Sequence, residues 1–416
     1  MDRRTFLAAT GGTMLTGPLV AESIVRTAPM VTKDVRPGVD TLLSSPEQLA
    51  RFKGKKVGLI TNQAGITRMR QHDIEALRWA GIHLVALFSP EHGLRGEAQA
   101  GDKVDSTIDF ASRLPIHSLY GATKQPTSEM LRGIDWLLFD LQDVGARFYT
   151  YPSTLMMVLR AAAKHKIPVT ILDRPNLLGG ELIEGPVLQS PLASFVGIFA
   201  MPVLHGMTIG ELGRMFVAAE KLRVKLDVIR CTNWQRESGF LSEHDFPWMP
   251  PSPNLRSDKA VWTYAGTALF EGTNISEGRG SDKPFEYVGA PFIDSAKLIP
   301  RLEAEKLPGV AFTPIDFMPT MSKFAGELCH GVRVIMTDGK TFRPFRTGVA
   351  IVKAVHDLYL DQFGFRSGAP SYFDQLTGVS WLREDIIAGK SLDEMEAKWT
   401  TDVDAFRARR EPFLLY

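Results

Sequence analysis

The chain has 416 residues, well beyond the ~100–200 of an ordinary domain, so two domains are expected. Its 44% hydrophobic and 23% charged residues place it among globular chains rather than disordered or fibrous ones. Lysine plus arginine (48) balance aspartate plus glutamate (47), which leaves no basic field for nucleic acid, and two cysteines exclude a disulfide scaffold.

Residues 1–30 read as an address. Arg3 and Arg4 are followed at once by Thr5, Phe6 and Leu7, then by an apolar stretch broken at Gly11, Gly12, Gly17 and Pro18. The order is similar to a twin-arginine export signal, and the stretch is shorter than the ~20 residues of a membrane span. The expectation is export to a bacterial periplasm with no stable membrane anchor afterwards. In such an oxidising compartment Cys231 and Cys329 are expected as two unpaired, partly buried thiols.

Four short apolar runs follow, at 55–62, 82–90, 135–143 and 167–175, each ending in polar or Gly/Pro residues. Such runs suit strands buried on both faces of a parallel sheet. Between them, Leu155, Val158, Leu159 and Ala162 keep helical spacing, with Ser153 placed to start the helix. Thr208 and Glu211 form a capping box ahead of an apolar stripe of Leu212, Met215, Phe216 and Ala219. The reading is an α/β fold, with a Rossmann-like parallel-sheet domain over 38–258. The proline-rich segment 246–258 forms the crossing or a loop at the junction. Beyond it, a strand at 331–338, a helix from Thr347 to Tyr359 and a charged helical end at 391–410 suggest a smaller α+β domain over 261–416.

Ligands of open parallel sheets bind beyond the carboxyl ends of the strands. Three such loops would bring Glu91, His92, Asp143, Arg147, Tyr149 and Asp173 to one rim. A single acid after a strand more often caps the next turn, which is the plain reading of Asp140, Asp143 and Asp173. Glu91 is harder to explain that way, because it follows Pro90 and precedes His92-Gly93. A second concentration, residues 270–284, holds two glutamates, an arginine and three glycines, and reads as a ligand-facing loop. No dinucleotide fingerprint follows the first strand; there is no Walker A, no H-E-x-x-H and no nucleophile elbow. No cofactor and no metal are expected. Carboxylates, arginine, tyrosine and tryptophan suit carbohydrate hydrolysis.

The strings GLITNQAGI (58–66), FSPEHGLRGE (88–97), FDLQDVGARFYTYPST (139–154), LDRPN (172–176), SFVG (194–197) with MPVLHGMTIGEL (201–212), and EGTNISEGRGSDKPFE (271–286) carry a resemblance. Together they closely resemble the NamZ-type exo-β-N-acetylmuramidases, over roughly residues 38–416. The resemblance implies a glycoside hydrolase that releases N-acetylmuramic acid from the non-reducing end of peptidoglycan fragments, with its site in a cleft between two domains. It places the proton-donating glutamate at Glu91. His92 and either Glu277 or Glu271 complete the expected catalytic group. Arg279 or Arg147 is expected on the lactyl carboxylate, where a planar guanidinium fork fits. His92, Tyr149 and Asn274 are candidates for sugar hydroxyls or the acetamido group, with Asn62, Arg95, Asp143 and Asp173 as further rim contacts. The expected partners are muropeptides or MurNAc–GlcNAc saccharides, with the oligomeric state open. A periplasmic binding protein without turnover, and a glycosidase for another amino sugar, stay open as alternatives.

Overall fold

A computed structural model describes residues 34–237 and 246–416; the export-signal reading of residues 1–30 lies outside the described residues. The four apolar runs supply β1 (Val57–Thr61), β2 (Leu84–Ser89), β5 (Trp136–Asp140) and β6 (Val169–Leu172), and β1, β5 and β6 are buried at every position. Helices on both sides of the sheet require that pattern. Short strands β3 (Thr107–Ile108), β4 (Pro115–Ser118) and β7 (Leu226–Ile229) complete a seven-stranded sheet of order β3-β4-β2-β1-β5-β6-β7. Every neighbouring pair is parallel except β3 with β4. The chain leaves β1 toward β2 on one side and returns to β5 on the other, so the strand order reverses beside β1.

The helices of this half are α1 (Gly38–Leu43), α2 (Pro46–Ala50), α3 (Asp73–Trp79), α4 (Tyr151–His165) and α5 (Ile209–Ala219). In α4, Leu155, Val158, Leu159 and Ala162 are all buried, as their spacing predicts. Burial of each Val or Leu is worth ~1.5–3 kcal/mol. Ser153 does not start this helix. It lies inside the first turn, because Pro152, which has no N–H to lose, sets the start at Tyr151. The capping box of Thr208 and Glu211 on α5 is formed, whereas Ala219 falls outside the buried stripe and is exposed.

The second half contains α6 (Asp258–Thr267), β8 (Tyr287–Ala290), α7 (Ser295–Ala304), β9 (Val310–Phe317), β10 (Cys329–Met336) and α8 (Pro344–Leu358). It ends with α9 (Tyr372–Thr377), α10 (Trp381–Ile387) and α11 (Leu392–Arg410). Strands β8, β10 and β9 form an antiparallel sheet in that order. The charged C-terminal end is helix α11, opened by a Ser391–Glu394 capping box. One hydrophobic cluster runs without a break from Phe139 and Leu155 in the first half to Val288, Val332 and Val352 in the second. Cys231 and Cys329 are free, as expected, and both are buried. No described helix is long and apolar enough to cross a membrane.

Candidate active site

Strand β2 delivers Glu91 two residues past its last position, into a cleft of about 780 Å³ lined from both halves of the chain. That volume lies within the ~300–1,000 Å³ usual for small-molecule sites. Both carboxyl oxygens of Glu91 are fixed. Oε1 accepts from the Gly101 amide at 2.8 Å and Oε2 from the Thr150 hydroxyl at 2.6 Å. Tyr120, just past β4, hydrogen-bonds to the same carboxyl; burial, then the charge of Glu91, pushes its phenol well above the usual value. It therefore stays protonated and donates.

Thr150 stands at the N-cap position of α4 yet makes no side-chain cap, since its hydroxyl is directed to Glu91. A helix normally gains about 1 kcal/mol from such a cap. Beside it, His92 adopts φ +73°, a left-handed conformation rare for a side-chain-bearing residue. Burial holds its imidazole below the usual value, and Nδ1 lies 2.9 Å from the Ala98 carbonyl. A carbonyl only accepts, so Nδ1 carries the proton and Nε2 of the neutral ring is an acceptor.

The glycine-rich loop forms the facing group. Arg279 donates to Glu271 at 2.7 Å and approaches Glu277 at 3.2 Å, with its guanidinium 4.9 Å from the Phe285 ring centre. Lys323 donates to Glu277 at 2.8 Å and to the carbonyls of Phe270 and Ile275 at 2.6 Å each. Glu277 thus has a cation on each oxygen and holds Arg279 and Lys323 in place. The rings of Phe148, Tyr149, Tyr264 and Phe285 meet edge to face across the two halves, Phe148–Tyr264 at 5.4 Å and Tyr264–Phe285 at 4.8 Å. This apolar wall suits the ring face of a sugar.

The cleft therefore gathers Glu91, His92, Tyr149, Glu271, Glu277 and Arg279 of the expected residues. Tyr149 contributes its ring only, because its hydroxyl donates to the Pro251 carbonyl at 2.8 Å. The other six lie elsewhere, and each has a local reason. Asn62 is fully buried at the end of β1, donating to the Tyr151 hydroxyl and accepting from the Ala64 amide. Asp173 is buried too, with oxygens taken by the amides of Arg174 and Gly210 and the hydroxyls of Thr208 and Tyr416. Asp143 accepts from the Gly145 amide and faces His205 at 3.4 Å. Arg147 is buried against the Leu376 carbonyl, where desolvation lowers its pKa to about 9. Arg95 pairs with Asp109 at 2.5 Å. Asn274 exchanges hydrogen bonds with the Gln362 carbonyl and the Gly364 amide. The crevice beside β1 is thus filled with protein, and the open cleft lies over β2, β4 and β5.

Tyr120, Thr150, Lys323, Arg366 and Tyr372 line the cleft without having been singled out by sequence. Thr150 lies inside the 139–154 motif, and only its place between Tyr149 and Tyr151 hints at a role. Tyr120 lies two residues past β4, a strand of four residues too short to show a pattern. Among the described residues, no group of three or more His, Cys, Asp or Glu side chains is arranged to hold a metal.

Known proteins match nearly the whole chain. Residues 57–259 match the family described as exo-beta-N-acetylmuramidase NamZ, N-terminal, and residues 262–416 its C-terminal counterpart. The chain is 43% identical over 418 residues to the peptidoglycan beta-N-acetylmuramidase NamZ of Bacillus subtilis (strain 168), covering 100% of both. Two crystal structures of DUF1343 family proteins from Bacteroides fragilis NCTC 9343 share the fold. One has a TM-score of 0.84 at 32% identity, the other 0.72 at 30%, each over 92% of this chain and 99% of the other. With both halves matched in order and the cleft built from the matched segments, the chain belongs to the NamZ exo-β-N-acetylmuramidase family.

Proposed function

We propose that this chain hydrolyses the β-glycosidic bond of a terminal N-acetylmuramic acid at the non-reducing end of peptidoglycan fragments, with Glu91 as the proton donor. The observation that carries this reading is Glu91 itself, buried in the cleft with both oxygens oriented by fixed donors. Glu91 gives its proton to the glycosidic oxygen as the bond to the anomeric carbon breaks. Water adds to that carbon, and its proton restores Glu91, so the products are free N-acetylmuramic acid and the shortened saccharide. Positive charge developing on the sugar ring is met by the carboxylates of the glycine-rich loop. Glu271 is the better second carboxylate, since Glu277 has a cation on each oxygen. His92 offers Nε2 as an acceptor to a sugar hydroxyl or the acetamido N–H.

The twin-arginine segment supports a periplasmic site of action, where peptidoglycan lies. Replacing Glu91 by Gln tests the reading, with a chromogenic β-N-acetylmuraminide and MurNAc–GlcNAc as substrates. The expected result is loss of turnover by orders of magnitude with ligand affinity retained. Unchanged turnover overturns the role of Glu91, and a wild-type chain that binds but never cleaves is a binding protein.

A further inference from the structure

Among the described residues three cationic side chains face the cleft, and two are already neutralised. Arg279 lies between Glu271 and Glu277, and Lys323 uses its three N–H groups on Glu277 and two carbonyls. Arg366 is different. Its side chain is exposed at the cleft, its guanidinium lies 5.2 Å from the centre of the Tyr372 ring, and among the described residues no carboxylate pairs with it.

The segment carrying Arg366 is held firmly although its side chain is not. The Arg366 amide donates to the Gly272 carbonyl at 2.8 Å, and Phe365 bridges to Thr273. Asn274 clamps the same segment at Gln362 and Gly364. The backbone is thereby tied to the glycine-rich loop that holds Glu271, while the five N–H donors of the guanidinium pair with no acid among the described residues. Tyr372 lies in the field of Glu271 and Glu91, which, after burial, raise its phenol; the stacked arginine therefore borders the same acidic pocket. An unpaired guanidinium resting on an aromatic ring is prepared for a planar anion.

We propose that Arg366 binds the lactyl carboxylate of the muramic sugar and is the residue that separates muramic acid from N-acetylglucosamine. The proposal rests on the reading above for the identity of the sugar, and it moves the lactyl contact from Arg147 and Arg279, which the fold employs elsewhere. Asn274 acts at one remove, as a positioning residue for the Arg366 segment.

Binding and turnover are measured separately, so that the two readings fail separately. Free N-acetylmuramic acid, its methyl ester and N-acetylglucosamine are titrated calorimetrically into the full chain and into Arg366→Gln and Arg366→Lys. The wild type is expected to favour the acid over the ester and over N-acetylglucosamine by ~10-fold or more, the scale of a charge-assisted pair. Arg366→Gln removes that preference and leaves N-acetylglucosamine affinity unchanged; Arg366→Lys keeps part of it. With chromogenic substrates, Arg366→Gln lowers kcat/KM for the muraminide and not for the glucosaminide. An Arg366→Gln variant that keeps the preference for the acid, or a wild type that has none, overturns the assignment. A wild type that prefers the acid through Arg366 but cleaves neither substrate overturns the proposed hydrolysis and leaves the Arg366 contact standing.

Discussion

Thr150 and Glu91 are 59 positions apart in sequence and joined by a hydrogen bond of 2.6 Å between the hydroxyl and Oε2. The bond takes the hydroxyl away from the helix end that Thr150 opens. Replacing Thr150 by Val removes one orienting donor, worth about 1–2 kcal/mol, so kcat is expected to fall ~5–30-fold with KM little changed. Thr150→Ser keeps the hydroxyl and restores the rate. Because no helix cap is lost, the melting temperature of Thr150→Val falls only by what that one buried hydrogen bond contributes. A large drop in melting temperature with no change in kcat would make Thr150 a structural residue only.

The Asp140–Arg174 pair shows the opposite use of charge. Both side chains are buried at the ends of β5 and β6, and Arg174 holds both carboxylate oxygens while also donating to the Ile66 carbonyl. Burial pushes Asp140 upward and Arg174 opposes that shift. Arg174→Met leaves a carboxylate buried without its partner, which costs ~3–5 kcal/mol. The urea midpoint should fall accordingly, while kcat measured on the remaining folded protein is unchanged. A midpoint equal to that of the wild type would show that Asp140 needs no counter-charge.

This contrast explains what was legible in the sequence. Buried strands β1, β2, β5 and β6 announce themselves as apolar runs, and the α5 and α11 capping boxes as spaced polar pairs, because those signals are local. Glu91 and Asp173 look alike locally, each an acid at a strand end. What distinguishes them is remote: Thr208 and Tyr416, 35 and 243 positions away, saturate Asp173, whereas the partners of Glu91 leave it at the wall of an open cleft. Asn62, Asp143 and Arg147 are hidden for the same reason. Arg366 is hidden for the reverse reason, since what marks it is the lack of a carboxylate partner among the described residues.

His92 gives the site a pH signature. Burial lowers its pKa, while the imidazole of the unfolded chain titrates near the ordinary 6.5. Below that pH the unfolded chain takes up a proton that the folded site resists. Stability from this group is therefore present above pH 6.5 and lost as pH falls from there toward the lower folded value. His92→Gln should flatten the difference in unfolding free energy between about pH 7.5 and about pH 5.5 relative to the wild type. An equal slope in both proteins would assign the acid sensitivity to other groups.

Gly280 governs the wall that carries Lys323. Its φ of +84° is a left-handed conformation, and a Cβ there would lie 2.6 Å from the Met321 amide nitrogen and 2.8 Å from that of Thr320. Its carbonyl meanwhile accepts from the Thr320 amide and hydroxyl. Gly280→Ala must bend its own backbone or push residues 320–321 away, at a cost of ~1–3 kcal/mol. Either movement shifts Met321, Ser322 and Lys323 at the cleft and loosens the second cation on Glu277. KM for the muraminide should rise more than kcat falls, since Glu91 and its donors lie on the sheet side and keep their geometry. Steady-state kinetics with a thermal melt on the same sample checks this. A fall in kcat alone would mean that the loop acts on the bond-breaking step rather than on holding the sugar.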